Sequence, residues 1–141
     1  MVAAAPWTTR DGKRYGKVYR VSAVPVADDV LDSQRAIVSL DEVAKRIGLS
    51  TSRVRQLVRD GQLIAFRRDG VVVVPAEFLD GGGVVKGLAG TITVLRDAGF
   101  TPTEMLRWLF TADESLPGAP IDALRRSRGR EVKRRAQALA F

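Results

Sequence analysis

Ser52, Arg53, Arg55, Gln56 and Arg59 crowd into one short polar and basic stretch. These groups donate and accept hydrogen bonds; they do not suit proton transfer or metal ligation. An Arg guanidinium donates two parallel bonds to guanine, and a Gln amide pairs with adenine in the same bidentate way. Thr51 and Ser52 open the stretch, where helix-start amides and hydroxyls can hold a phosphate. Arg67 and Arg68 follow, beside Asp69-Gly70, placed to touch a phosphate backbone or a minor groove. The chemistry implied is recognition of a polyanion that also presents base edges.

Composition supports that direction and closes others. The chain has 141 residues and a formal net charge of +7, with a pI near 10.5. Such a balance calls for polyanionic partners, nucleic acid first, and an anionic membrane surface would satisfy the same charge. There is no histidine and no cysteine. General bases, activated nucleophiles, thiolate metal sites and disulfides thereby lose their usual residues. No enzyme, cofactor or metal centre is expected. Asp28, Asp29 and Asp32 form an acidic patch, read as solvated charge in a linker. No apolar run approaches the roughly 18 residues of a membrane span. The N-terminus lacks the basic-then-apolar order of a signal peptide, so the expected location is cytoplasmic.

The elements that must position the polar stretch are legible locally. Ser39 and Glu42 have capping-box spacing, and Leu40, Val43, Ala44 and Ile47 repeat with helical period. Gly48 ends that helix, Ser50 caps the next, and a second helix is predicted over 51–60. Val54, Leu57 and Val58 share its apolar face, leaving Ser52, Gln56 and Arg59 on the opposite one. Apolar β-prone runs at 63–66 and 71–74 flank a polar turn at 67–70, the signature of a hairpin. Pro75 ends the strand, and 76–79 begins a short helix. Gly81-Gly82-Gly83 marks a boundary. Beyond it come a helical stripe (Leu88, Ile92, Leu95) closed by Gly99, then a Thr101-Pro102-Thr103-Glu104 capping box opening an apolar-rich helix. A loop fills 111–120, and Ile121–Leu124 starts a further helix. The fold class is mainly α with a small β-hairpin wing. It comprises a flexible basic arm and linker (1–35), a winged helix-turn-helix (36–80), and a helical C-terminal domain with a basic tail (84–141).

The segment SLDEVAKRIGLSTSRVRQLVRDGQLIAFRRDGVVVVPAEFL (39–79) resembles the winged helix-turn-helix of the MerR and excisionase class. The whole chain resembles small actinobacterial winged-helix DNA-binding regulators that carry a helical C-terminal domain of their own. The resemblance implies that helix 51–60 is the recognition helix and that 67–70 is the wing. It implies double-stranded DNA as partner and transcription regulation as role. The MerR effector-binding half, its long coiled coil and its metal-sensing cysteines have no counterpart here. The C-terminal segment is also similar to the toxin-binding end of certain antitoxins, through Trp108-Leu109, a Leu-Pro-Gly-x-Pro loop and Ile121-Asp122-Ala123-Leu124.

Three readings therefore stand. The first is a DNA-binding regulator that docks 51–60 in the major groove, with wing and basic tails on phosphates. The second is an antitoxin-like or adaptor protein with a protein partner held by 84–141. The third is an excisionase-like protein that bends DNA. Arg10, Lys13, Arg14 and Lys17 in the arm are candidate auxiliary DNA contacts, as are the bases between Arg125 and Arg135. Thr8 and Thr9 are candidate phosphorylation sites, which would add a Ser/Thr kinase as partner and cancel arm charge. A homodimer would extend the few base pairs that one short helix reads, although no heptad seam locates it.

Overall fold

In a computed structural model, residues 24–116 and 118–139 are described. Thr8, Thr9, Arg10, Lys13, Arg14 and Lys17 lie outside the described residues. Element order is β1 (Val26–Ala27), β2 (Ile37–Ser39), α1 (Leu40–Ile47), α2 (Thr51–Arg59), β3 (Ala65–Arg68) and β4 (Val71–Pro75). A 3₁₀ turn (Ala76–Phe78) follows, then β5 (Leu79–Asp80), β6 (Gly83–Val84), α3 (Leu88–Asp97), α4 (Pro102–Phe110), α5 (Pro120–Arg125) and α6 (Gly129–Ala138). The fold is thus a winged helix-turn-helix followed by a helical C-terminal part.

The helix-turn-helix forms as local chemistry dictates. Ser39 accepts a hydrogen bond from the Glu42 amide and starts α1. The reciprocal half of the expected capping box is absent, because the Glu42 carboxylate turns to Arg46 instead. Gly48 takes φ +74°, a left-handed conformation that costs residues with a Cβ about 1 kcal/mol or more. Its amide and that of Leu49 both bond the Ala44 carbonyl, closing the helix. Ser50 then caps α2 through the Arg53 amide. Helix α2 ends at Arg59, with Asp60 as its cap, one residue short of the expected span.

The wing is tighter than the polar composition of 67–70 suggests. Arg67 pairs with Val72 and Arg68 with Val71, so both arginines belong to β3. Only Asp69 and Gly70 remain in the turn, with φ 51° and 79°. Positive φ at both central residues is the type I′ geometry, whose twist matches the strands it joins.

Residues 24–35 are not a linker. β1 pairs in parallel with β3, giving a four-stranded sheet in the order β1-β3-β4-β2. Within the described residues the first strand is Val26–Ala27. The glycine boundary also has a structural job: Gly81-Gly82 is the turn of the β5–β6 ribbon. One apolar core then runs from Val38, Val43, Val54 and Phe66 through Phe78 to Leu95, Leu106, Ile121 and Val132. Each fully buried Leu, Ile or Phe contributes about 1.5–3 kcal/mol relative to exposure. The 3₁₀ turn is the joint: Phe78 is fully buried and meets Phe110 of α4 with ring centroids 5.7 Å apart.

The C-terminal helices follow the sequence closely. Thr101 and Glu104 make both halves of the capping box at α4. The Glu104 carboxyl is held below its ordinary range by those two bonds with Thr101, the backbone one foremost. Trp108 and Phe110 pack against the core, and Leu109, Leu116 and Ile121 are buried in it.

Candidate nucleic-acid interface

Helix α2 presents its polar face as the wheel of its sequence predicts. Val54 and Val58 are buried against α1, with Leu57 partly so. Ser52, Arg53, Arg55 and Arg59 are exposed, and Gln56 lies half-buried between Ser52 and Arg59. Gln56 donates to Asp60 Oδ1 at 2.7 Å and accepts from Arg59 at 3.1 Å. This Asp60–Gln56–Arg59 chain engages the Asp60 carboxylate at the end of the face. Among the described residues, the guanidiniums of Arg53 and Arg55 have no ion-pair or hydrogen-bond partner and remain available to an incoming anion.

The start of α2 differs from the phosphate cradle expected there. The Thr51 hydroxyl donates to Asp41 Oδ1 of α1 at 2.8 Å. That bond clamps the two helix starts together and places a carboxylate where a phosphate was envisaged. Thr51 is thus a positioning residue for α2, and Ser52 is the hydroxyl left exposed at this end.

The two wing arginines separate by strand alternation. Arg67 is exposed and, among the described residues, its guanidinium has no ion-pair or hydrogen-bond partner. Arg68 faces the other way and is not a wing-tip cation. Its guanidinium makes a two-point bond with Asp29, at 2.8 and 3.0 Å. It also donates to the carbonyls of Asp32 and Arg35 and lies 5.2 Å from the Phe66 ring centroid. Its side chain is only 11% exposed. The acidic patch is therefore structural: Asp29 holds Arg68, and Asp32 accepts the Gln34 amide. Together these bonds staple 28–35 to the wing.

The Asp29 carboxyl is held below the ordinary carboxylate range, first by its bond from Arg68, then by the Leu31 amide, with burial opposing. A lowered folded value means stability that is present above the unfolded value of about 3.9 and lost as pH falls through the folded one. Asp29→Asn should therefore melt lower than the parent at pH 7. The two melting temperatures, followed by circular dichroism, should converge as pH drops below about 4. A constant gap across that range would show that the ion pair contributes nothing to acid sensitivity.

Sequence reasoning missed the seam between the two halves. Arg35 pairs with Glu77 at 2.6 Å and lies 4.6 Å from the centroid of Phe110. Arg125 donates to the carbonyls of Glu77 and Leu79 at 2.8 and 2.6 Å. The Asp28 amide bonds the Thr103 hydroxyl at 3.0 Å. Arg125 and Arg128, which pairs with Glu131, are thus partly engaged within the protein. Arg126, Arg130, Lys133 and Arg134 remain on the exposed surface of the C-terminal end. No signal short of the fold links these partners, because each pair is distant along the chain. Among the described residues no group of acidic side chains could hold a metal ion, and no helix is long and apolar enough to cross a membrane.

Comparison with known proteins accounts for both halves. A family model described as "DNA-binding protein Rv2175c, wHTH domain" matches residues 23–79. Another, described as "Rv2175c C-terminal domain of unknown function", matches residues 85–140. The DNA-binding protein Rv2175c of Mycobacterium tuberculosis (strain ATCC 25618 / H37Rv) is 44% identical over 135 residues, spanning 86% of this chain and 92% of the relative. The NMR structure of Rv2175c superposes with a TM-score of 0.76 at 42% identity, covering 92% of this chain and 99% of that one. The winged helix-turn-helix, the helical C-terminal part and this shared length place the chain in the Rv2175c family, an actinobacterial family.

Proposed function

We propose that this chain is a non-catalytic duplex-DNA-binding protein that acts in transcription regulation. Helix α2 enters the major groove, and Arg67 of the wing neutralises a flanking phosphate. The observation that carries the reading is the α2 face, where Arg53, Arg55 and Arg59 surround Ser52 and Gln56. Arg and Gln at such a face can bond base edges bidentately, while arginines at its margin meet phosphates. The relative's printed name, a DNA-binding protein, supports the same reading. Arg130, Lys133 and Arg134 of α6 add affinity that does not depend on sequence.

Selection of binding sites from random duplexes with the full chain tests the reading. Enrichment of one motif supports it; no enrichment over input at moderate salt would reject sequence-specific recognition. Arg67→Ala gives a finer prediction. It should weaken binding to all duplexes evenly and flatten the log–log dependence of affinity on salt by about 0.9, the release expected for one lost phosphate contact. An unchanged salt slope in fluorescence anisotropy would remove the wing from the interface.

A further inference from the structure

A cavity of about 150 Å³ lies at the seam, directly behind the end of α2. Val58 and Ile64 wall it from the winged helix, and Ile92 and Met105 from the C-terminal helices. Among the described residues its charged lining is Arg59 of α2 and Arg96 of α3, with no carboxylate. Gly61, the residue that ends the α2 turn, lets the Arg96 guanidinium lie against the backbone there. A Cβ at position 61 would collide with that guanidinium. Besides a long 3.5 Å contact with Thr93, the Arg96 side chain has no hydrogen-bond or ion-pair partner among the described residues.

We propose that this cavity binds a small monoaromatic carboxylate, and that its occupancy is coupled to DNA binding through Arg59. Size and lining select the ligand. An apolar cavity near 150 Å³ has room for a single benzene ring. A carboxylate on that ring would project to the basic rim, where a guanidinium can bond both its oxygens. A cationic ligand would meet two like charges, and a wholly apolar one would leave the rim unused. Coupling follows from geometry, and it rests on the proposed groove docking of α2. Arg59 belongs both to the outward face of α2 and to the rim, so an anion at the rim draws that side chain away from the groove. By linkage, bound duplex must weaken the carboxylate by the same factor.

Benzoate is the probe, with benzyl alcohol as its neutral counterpart, titrated into the full chain at constant ionic strength. Amide and methyl NMR signals of Gly61, Ile92 and Met105 should shift saturably, with a benzoate dissociation constant on the order of 1 mM. Benzyl alcohol should bind at least about tenfold more weakly. Arg96→Gln, an exposed change that leaves the core intact, should bring benzoate down to the level of benzyl alcohol. The site is overturned by an absence of saturable shifts, by equal binding of the two probes, or by an Arg96→Gln protein that binds benzoate as the parent does. These titrations contain no DNA, so they stand whether or not duplex binding is found. In gel shifts, saturating benzoate should weaken duplex binding about tenfold. Unchanged duplex affinity with benzoate bound would overturn the coupling.

Discussion

Replacing Arg53, Gln56 and Arg59 together by alanine should lower affinity for the selected duplex by about 100-fold or more. A single good bidentate base contact contributes about 1–3 kcal/mol of discrimination, and each lost cation also forfeits counterion release. Two such losses already reach about 2.7 kcal/mol, which is a factor of about 100. The fold should survive the change. All three side chains lie away from the buried Val54 and Val58, and alanine is the best helix former. Their bonds to one another and to Asp60 lie in the exposed Asp60–Gln56–Arg59 chain. Circular dichroism controls for folding, and gel shifts at two salt concentrations measure affinity. A matching loss on random duplex would assign these residues to phosphates. A loss confined to the selected site would assign them to bases. Equal affinity of parent and variant would sink groove docking by α2.

Phe78→Ala should destabilise the whole chain by about 3–5 kcal/mol, the cost of emptying a fully buried aromatic site. Phe78 is 0% exposed and sits in the 3₁₀ turn, between the sheet and α4, against Phe110. Its neighbourhood also contains the Arg35–Glu77 pair and the Arg125 bonds to the Glu77 and Leu79 carbonyls. With the core continuous through this point, both halves should unfold together. Thermal melting should show one transition, lowered by roughly 10 °C or more in the variant. Separate probes make the test specific: in a Trp7→Phe background Trp108 fluorescence reports the C-terminal part, and wing amides report the winged helix. Two resolved transitions in the parent protein would show that the halves fold independently and that Phe78 serves only one of them.

The parts legible in the sequence share one property: their causes lie within a few residues. Ser50 and Arg53 are three apart, as are Thr101 and Glu104, and both caps form. Gly48 stops α1 because only its own backbone is in question. Asp69-Gly70 selects the hairpin turn for the same reason, although composition alone placed Arg67 and Arg68 in the turn and strand pairing moved them into β3. The wheel of α2 follows from its period, so its outward polar face was predictable without knowing what covers the other side.

What only the tertiary structure decided is which distant groups meet. Arg68 and Arg67 are adjacent bases with equal sequence claims to DNA. Strand alternation exposes Arg67 and turns Arg68 toward Asp29, 39 residues away. Arg35 finds Glu77 across 42 residues, and Asp28 finds Thr103 across 75. Such pairings are selected by how sheet and helices pack around a common core, and neither partner carries a local sign of the other. The sequence by itself determined that this protein has a short, basic, hydrogen-bonding helix face. Packing decided which arginines remain on that face and the wing, and which are spent holding the fold together.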